Sequence, residues 1–158
     1  METVTILVGT IAAGKSTLCR DKRDIAQFSR DELRKIFAAE VGKEYIYDLF
    51  IEKRIDKMIK AAFESLLYLG VKDIIIDETN ITIEDRKYFI TKAKEFGYVV
   101  KAIVFPDLGE DIHVERRLSN NHGDVSEQKW REVYREKKER YEEPTKEEGF
   151  DEVEYYES

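Results

Sequence analysis

Cysteine is almost missing from this chain: Cys19 is the single one among 158 residues, and there are only two histidines. That excludes an internal disulfide and leaves too few soft ligands for a structural zinc site. No run of about 18 apolar residues occurs, so a membrane-spanning helix is excluded. Met1-Glu2-Thr3 leads straight into a strand-like segment with no signal-peptide pattern, and a cytoplasmic setting is the expectation. Internal repeats and low-complexity linkers are absent as well. With 42% hydrophobic and 39% charged residues the composition argues against both a disordered tail and a membrane span.

Positive charge is also short, 27 Lys and Arg against 34 Asp and Glu, for a net charge of −7. Residues 142–158 hold eight acids and one base, which accounts for the whole imbalance and leaves residues 1–141 neutral. An acidic total argues against coating a long polyanion, yet it leaves room for gripping a few phosphates at one chain end.

Short apolar runs alternate with amphipathic stretches. Strands are predicted at residues 4–8, 24–28, 72–77, 98–105 and, despite its acids, 150–156. Helices are predicted at 16–23, from the Ser29 cap to 40, through the stripe Ile51, Ile55, Met58, Ile59, Ala62, Phe63 and Leu66, from Thr82 to Gly97, at 111–120, and from Ser126 to 143. Turns are expected at 42–47 and at Asn121-His122-Gly123-Asp124. The alternation implies a three-layer α/β fold around a central, mainly parallel five-stranded sheet, in one domain spanning 1–158 with a lid region around 113–127.

Gly9-Thr10-Ile11-Ala12-Ala13-Gly14-Lys15-Ser16 matches G-x-x-x-x-G-K-[ST] between a predicted buried strand and a helix. Glycines let successive backbone N–H groups turn inward on phosphate oxygens, and the helix start adds its positive dipole end. Lys15 is placed to reach the β- and γ-phosphates and Ser16 to ligate Mg²⁺, with Gly9, Ala12, Ala13, Gly14 and Thr17 completing the cradle. Cys19, one turn past Ser16, reads as a packed core residue.

Neither D-x-x-G nor N-K-x-D occurs, which argues against a GTPase. Ile74-Ile75-Ile76-Asp77-Glu78 resembles a Walker B strand with an adjacent Glu, so an ATP-hydrolysing module stays open, although the chain is short for a coupling subdomain. A phosphotransferase fits the length better. It needs a carboxylate for the acceptor hydroxyl and cations for the phosphoryl group, and Ser29-Arg30-Asp31-Glu32-Leu33-Arg34 offers both on one helix face. The bland alternative for Asp31 and Arg34 is ordinary helix-start chemistry.

The P-loop, Ser29–Arg34, and Ile75-Ile76-Asp77-Glu78-Thr79-Asn80 followed by Glu84-Asp85-Arg86 together resemble the kinase domain of bacteriophage 5′-hydroxyl polynucleotide kinases. Glu44-Tyr45-Ile46-Tyr47 agrees in position. The resemblance implies an ATP- and Mg²⁺-dependent kinase acting on the 5′ end of RNA or DNA. It implies Asp31 as general base, Arg34 as clamp on the acceptor phosphate, and Asp77 as the strand-end carboxylate organising the acceptor, with a water-mediated Mg²⁺ contact as the alternative for Asp77. Glu78 reads as structural, and Thr79 and Asn80 as caps of the next helix. The family's lid arginine on the donor phosphates has no direct equivalent, and Arg116 or Arg117 is the candidate; His122 reads as an exposed loop residue. The D-x-D-G-T phosphatase motif of bifunctional relatives is absent, so no 3′-phosphatase activity is expected. Trp130, Tyr134 and Tyr141 among basic residues read as core packing rather than a base-stacking stripe. Rival readings are a small-molecule kinase and a nucleotide-binding module with no acceptor, and a homo-oligomer stays open.

Overall fold

A computed structural model of the chain describes residues 1–22, 25–40, 49–120 and 125–157. The predicted turns at 42–47 and 121–124, with Glu44-Tyr45-Ile46-Tyr47 and His122, lie outside the described residues. The elements run β1 (Thr3–Val8), α1 (Lys15–Asp21), β2 (Ala26–Ser29), α2 (Arg30–Glu40), α3 (Leu49–Tyr68), β3 (Asp73–Asp77), α4 (Ile83–Glu95), β4 (Val99–Val104), α5 (Glu110–Ser119), α6 (Glu127–Arg140) and β5 (Glu152–Tyr155), with a 3₁₀ turn at Lys146–Glu148.

The five strands form one sheet in the order β2-β3-β1-β4-β5, and every pairing is parallel. Thus the sheet is wholly parallel, as buried βαβ units require, rather than mainly so. Registers Val8↔Val104 and Ser29↔Asp77 bring the C-terminal strand ends to one edge. There β1 lies between β3 and β4, the switch point of a doubly wound sheet, where ligands bind.

Alternate residues of β1 supply two faces. Val4, Ile6 and Val8 pack with Ile55, Ile59, Phe63 and Leu67 of α3 and with Phe89, Ile90 and Ala93 of α4. Leu7 points the other way, to Ala13, Cys19, Ile75 and Phe105. Helices therefore cover both faces. A third cluster joins Ile11 of the loop after β1 to Val114 of α5 and to Trp130 and Tyr134 of α6, so these two helices pack on the loop.

Two local expectations are corrected. On α3, Met58 and Ala62 are exposed and Leu67 is buried, because the helix lays only a narrow stripe on the sheet. At the start of α4 the cap is Thr82, in a capping box with Asp85, rather than Thr79 or Asn80. Asn80 instead takes φ 47° and donates from Nδ2 to the Leu7 carbonyl at 2.8 Å. The acid-rich last strand forms because Val153 packs on the core while Glu152 and Glu154 flank Lys101 on the neighbouring strand.

Candidate active site

The loop from Gly9 to Gly14 joins β1 to α1 at the C-terminal edge of the sheet. A Cβ on Gly9 would stand 3.0 Å from Phe105 Cβ and 3.2 Å from Ala13 Cβ, so a side chain there would press on both neighbours. Gly14 has φ 103° and Ala12 φ 50°, left-handed values that turn the backbone around a concave face. Gly9 N–H donates to the Thr79 carbonyl at 3.0 Å, tying the loop to the end of β3.

Lys15 folds back over this loop and donates from Nζ to the Gly9 and Thr10 carbonyls at 2.6 and 2.8 Å. Burial pulls its pKa from 10.5 to about 8, against the pull of the Asp77 carboxylate. Asp77, at the end of β3, is in turn raised by burial and held back by Lys15 and by the Cys19 thiol. Cys19 itself is pushed up to about 12 by burial and by Asp77, so its thiol stays protonated and unreactive, in keeping with a core role. Ser16 and Thr17 are exposed on the first turn of α1, and Arg20 Nη2 donates to the Thr17 hydroxyl at 3.3 Å.

Asp31 sits at the first turn of α2, where Glu32 N–H donates to Ser29 Oγ at 3.4 Å. Its two oxygens face two helices. Oδ1 accepts from Arg34 Nη1 at 2.7 Å, and Oδ2 accepts from Arg117 Nη2 of α5 at 3.4 Å. Its charge is also felt by Lys15 and by Asp77. The structure therefore gathers Lys15, Asp31, Arg34, Asp77 and Arg117 at one mouth. Arg117 lies 4.8 Å from the Trp130 ring centroid, which fixes its approach. Arg116 stands more exposed, with Nη1 3.5 Å from the Ala12 carbonyl.

Sequence reasoning missed the carboxylates behind these cations. Glu52 of α3 accepts from Arg34 Nε at 2.8 Å and also from Nη2, closing a bidentate fork. Arg30 donates to Glu78 at 3.0 Å and to Asp56, so the half-buried Glu78 is held in an ion pair. His113, fully buried in α5, accepts from Leu108 N–H at 2.9 Å and lies against the loop at Ile11 and Ala12. None of these contacts has a local sequence signal.

The donor set suits a hard cation. Ser16 and Asp77 offer hydroxyl and carboxylate oxygens, the donor chemistry that Mg²⁺ prefers. Among the described residues no three of His, Cys, Asp and Glu come together as a cage, so phosphates and water would complete the shell.

Strand, loop and helix in this order, with cations gathered over the loop, define a nucleotide-binding P-loop protein of the kinase type. The chain belongs to the AAA domain family, whose model matches residues 4–144. A bifunctional polynucleotide phosphatase/kinase of Schizosaccharomyces pombe is 31% identical over 154 residues, covering 96% of this chain and 32% of that protein. The chain thus spans about a third of the length of that curated relative. Among solved structures, a Pnkp1/Rnl/Hen1 complex aligns at 28% identity with a TM-score of 0.59, covering 73% of this chain and 38% of that one. A structure from Chloroflexus aurantiacus aligns at 16% identity with a TM-score of 0.70 over 98% of this chain and 86% of that one, a likeness of fold. No described helix is long and apolar enough to cross a membrane.

Proposed function

We propose that the chain transfers the γ-phosphate of ATP to the 5′-hydroxyl end of RNA or DNA. The observation that carries this reading is the placement of Asp31 between Arg34 at 2.7 Å and Arg117 at 3.4 Å, above a loop whose lysine shares its field. A carboxylate there accepts the proton of an alcohol set between it and the phosphoryl group. Lys15 and Arg117 meet the charge that spreads over the equatorial oxygens, and Arg116 covers the loop at Ala12. Mg²⁺, held through Ser16 with Asp77 nearby, would neutralise the β- and γ-oxygens. Arg34 is assigned the acceptor phosphate. The matched relatives favour a polynucleotide acceptor, since one carries polynucleotide kinase in its name.

A small-molecule acceptor is the second reading, and one contact favours it. Glu52 already fills the fork of Arg34, which leaves that guanidinium less to offer a phosphate. A panel of acceptors with labelled ATP separates the two. A 5′-hydroxyl oligonucleotide labelled far faster than sugars or nucleosides supports the proposal; the reverse order refutes it.

A further inference from the structure

Helix α6 crosses the mouth of the site, and its ends are pinned. Trp130, near its start, lies beneath Arg117, which reaches Asp31. Past its end, Glu142 N–H donates to the Ile81 carbonyl at 2.8 Å and Glu142 Oε1 accepts from Ile83 N–H at 3.2 Å, beside the Thr82–Asp85 cap of α4. Residues 130, 134 and 137 follow helical spacing, so Lys137 continues the face that buries Trp130 and Tyr134. It is half-buried, and the charges of Arg34 on α2 and of Asp85 at the start of α4 both act on it.

The other cations of α6 are occupied. Lys129, Arg131, Arg135 and Arg140 are paired with Glu132, Glu110, Glu110 and Glu136, and Lys138 lies over the Tyr134 ring. Among the described residues Lys137 makes no hydrogen bond or ion pair. Asp85, Glu136, Arg34 and Arg140 shape its field, and Lys137 in turn acts on Lys15. A half-buried ammonium beside two further cations costs stability until an anion arrives. Lys15 already serves the donor end. Arg34, the acceptor-side arginine, has Nε and Nη2 committed to Glu52 and Nη1 to Asp31. A second phosphate on that side therefore needs a further cation with open donors.

We propose that Lys137 binds a phosphodiester of the acceptor strand, beyond the single phosphate assigned to Arg34, and so makes the site prefer oligonucleotides over mononucleotides. This rests on the polynucleotide reading above. Burial lowers the ammonium's pKa, with Arg140 contributing, and a bound phosphate would reverse that pull.

The test is steady-state transfer from ATP to a 5′-hydroxyl oligonucleotide and to a nucleoside 3′-phosphate, in wild type, Lys137→Met and Lys137→Arg. Met keeps the apolar stem of the side chain in place, and thermal melting confirms that each variant folds. Lys137→Met should raise KM for the oligonucleotide about tenfold, as loss of a charge-assisted contact does. KM for ATP and for the nucleoside 3′-phosphate should hold, and Lys137→Arg should recover most of the loss. The dependence of oligonucleotide binding on log salt should become shallower by about 0.7. An oligonucleotide KM unchanged in Lys137→Met overturns the proposal, and so does a rise confined to ATP, which would put Lys137 on the donor. Wild type that labels no 5′-hydroxyl strand removes the underlying reading instead, and this inference with it.

Discussion

Arginine is used in two opposite ways in this molecule. Arg86 of α4 is fully buried, and its guanidinium is saturated: Nε and Nη2 donate to Glu148 at 2.8 and 3.0 Å, and Nη1 to the Asn80 carbonyl at 2.8 Å. Through Asn80 and Leu7 the pair ties the end of the sheet to the segment that holds the loop. Arg117 is different. It reaches Asp31 at 3.4 Å with one nitrogen, rests on Trp130, and has a buried Nε without a partner among the described residues. A saturated buried cation fixes structure; an unsaturated one at a mouth is poised for an incoming anion. The sequence alone does not distinguish them, since Arg86 also stands in a family-like segment.

The largest expected effect that sharpens this contrast is on Arg86. Arg86→Ala leaves Glu148 and the Asn80 carbonyl buried without their partner and should cost about 3–5 kcal/mol of stability in denaturant unfolding. The acceptor KM of the molecules that stay folded should not rise. A raised KM with intact stability would break the distinction. Arg34 stands between the two, held by Glu52 and Asp31 yet assigned the acceptor phosphate, so Arg34→Ala should raise the oligonucleotide KM by roughly 10- to 100-fold, as loss of a charge-assisted phosphate contact does, with a smaller change in unfolding midpoint than Arg86→Ala. Its partner Glu52 lets the test go further: Glu52→Gln loosens the fork and should lower the same KM.

Lys15 gives a smaller effect with a definite pH signature. Its folded pKa near 8 lies below the ordinary 10.5, so the folded protein disfavours the charged form. The penalty is fully present below pH 8 and is relieved as pH rises toward 10.5. Lys15→Met should therefore raise nucleotide-free stability at pH 7 by on the order of 1–3 kcal/mol, with the gain shrinking between pH 8 and 10.5. A gain that is flat across that window would show that the charge was never strained.

Much of the architecture was legible in the sequence because its signals are local. The apolar run of β1, the loop pattern after it and the Thr82 start of α4 each act within a few residues. Even β5 could be read, since Phe150, Val153 and Tyr156 mark it among acids. What escaped depends on contacts across the chain. The Glu52 fork on Arg34 joins α3 to α2, Arg86 meets Glu148 over 62 positions, and Arg117 meets Asp31 over 86. Lys137 was hidden for another reason: one lysine among many on a charged helix looks solvated until the helix is seen to cross the mouth. The expected packing of the aromatic stripe holds at Trp130 and Tyr134, both buried, with Trp130 also supporting an arginine, but not at Tyr141, which is exposed beyond the helix end.

In the proposed reaction Asp31 takes the proton of the acceptor hydroxyl. Single-turnover transfer from ATP to a 5′-hydroxyl oligonucleotide by Asp31→Asn, with nucleotide affinity measured in parallel, tests it most directly. The rate should fall by roughly 10²- to 10⁴-fold at unchanged nucleotide affinity. Transfer at the wild-type rate by Asp31→Asn would contradict it.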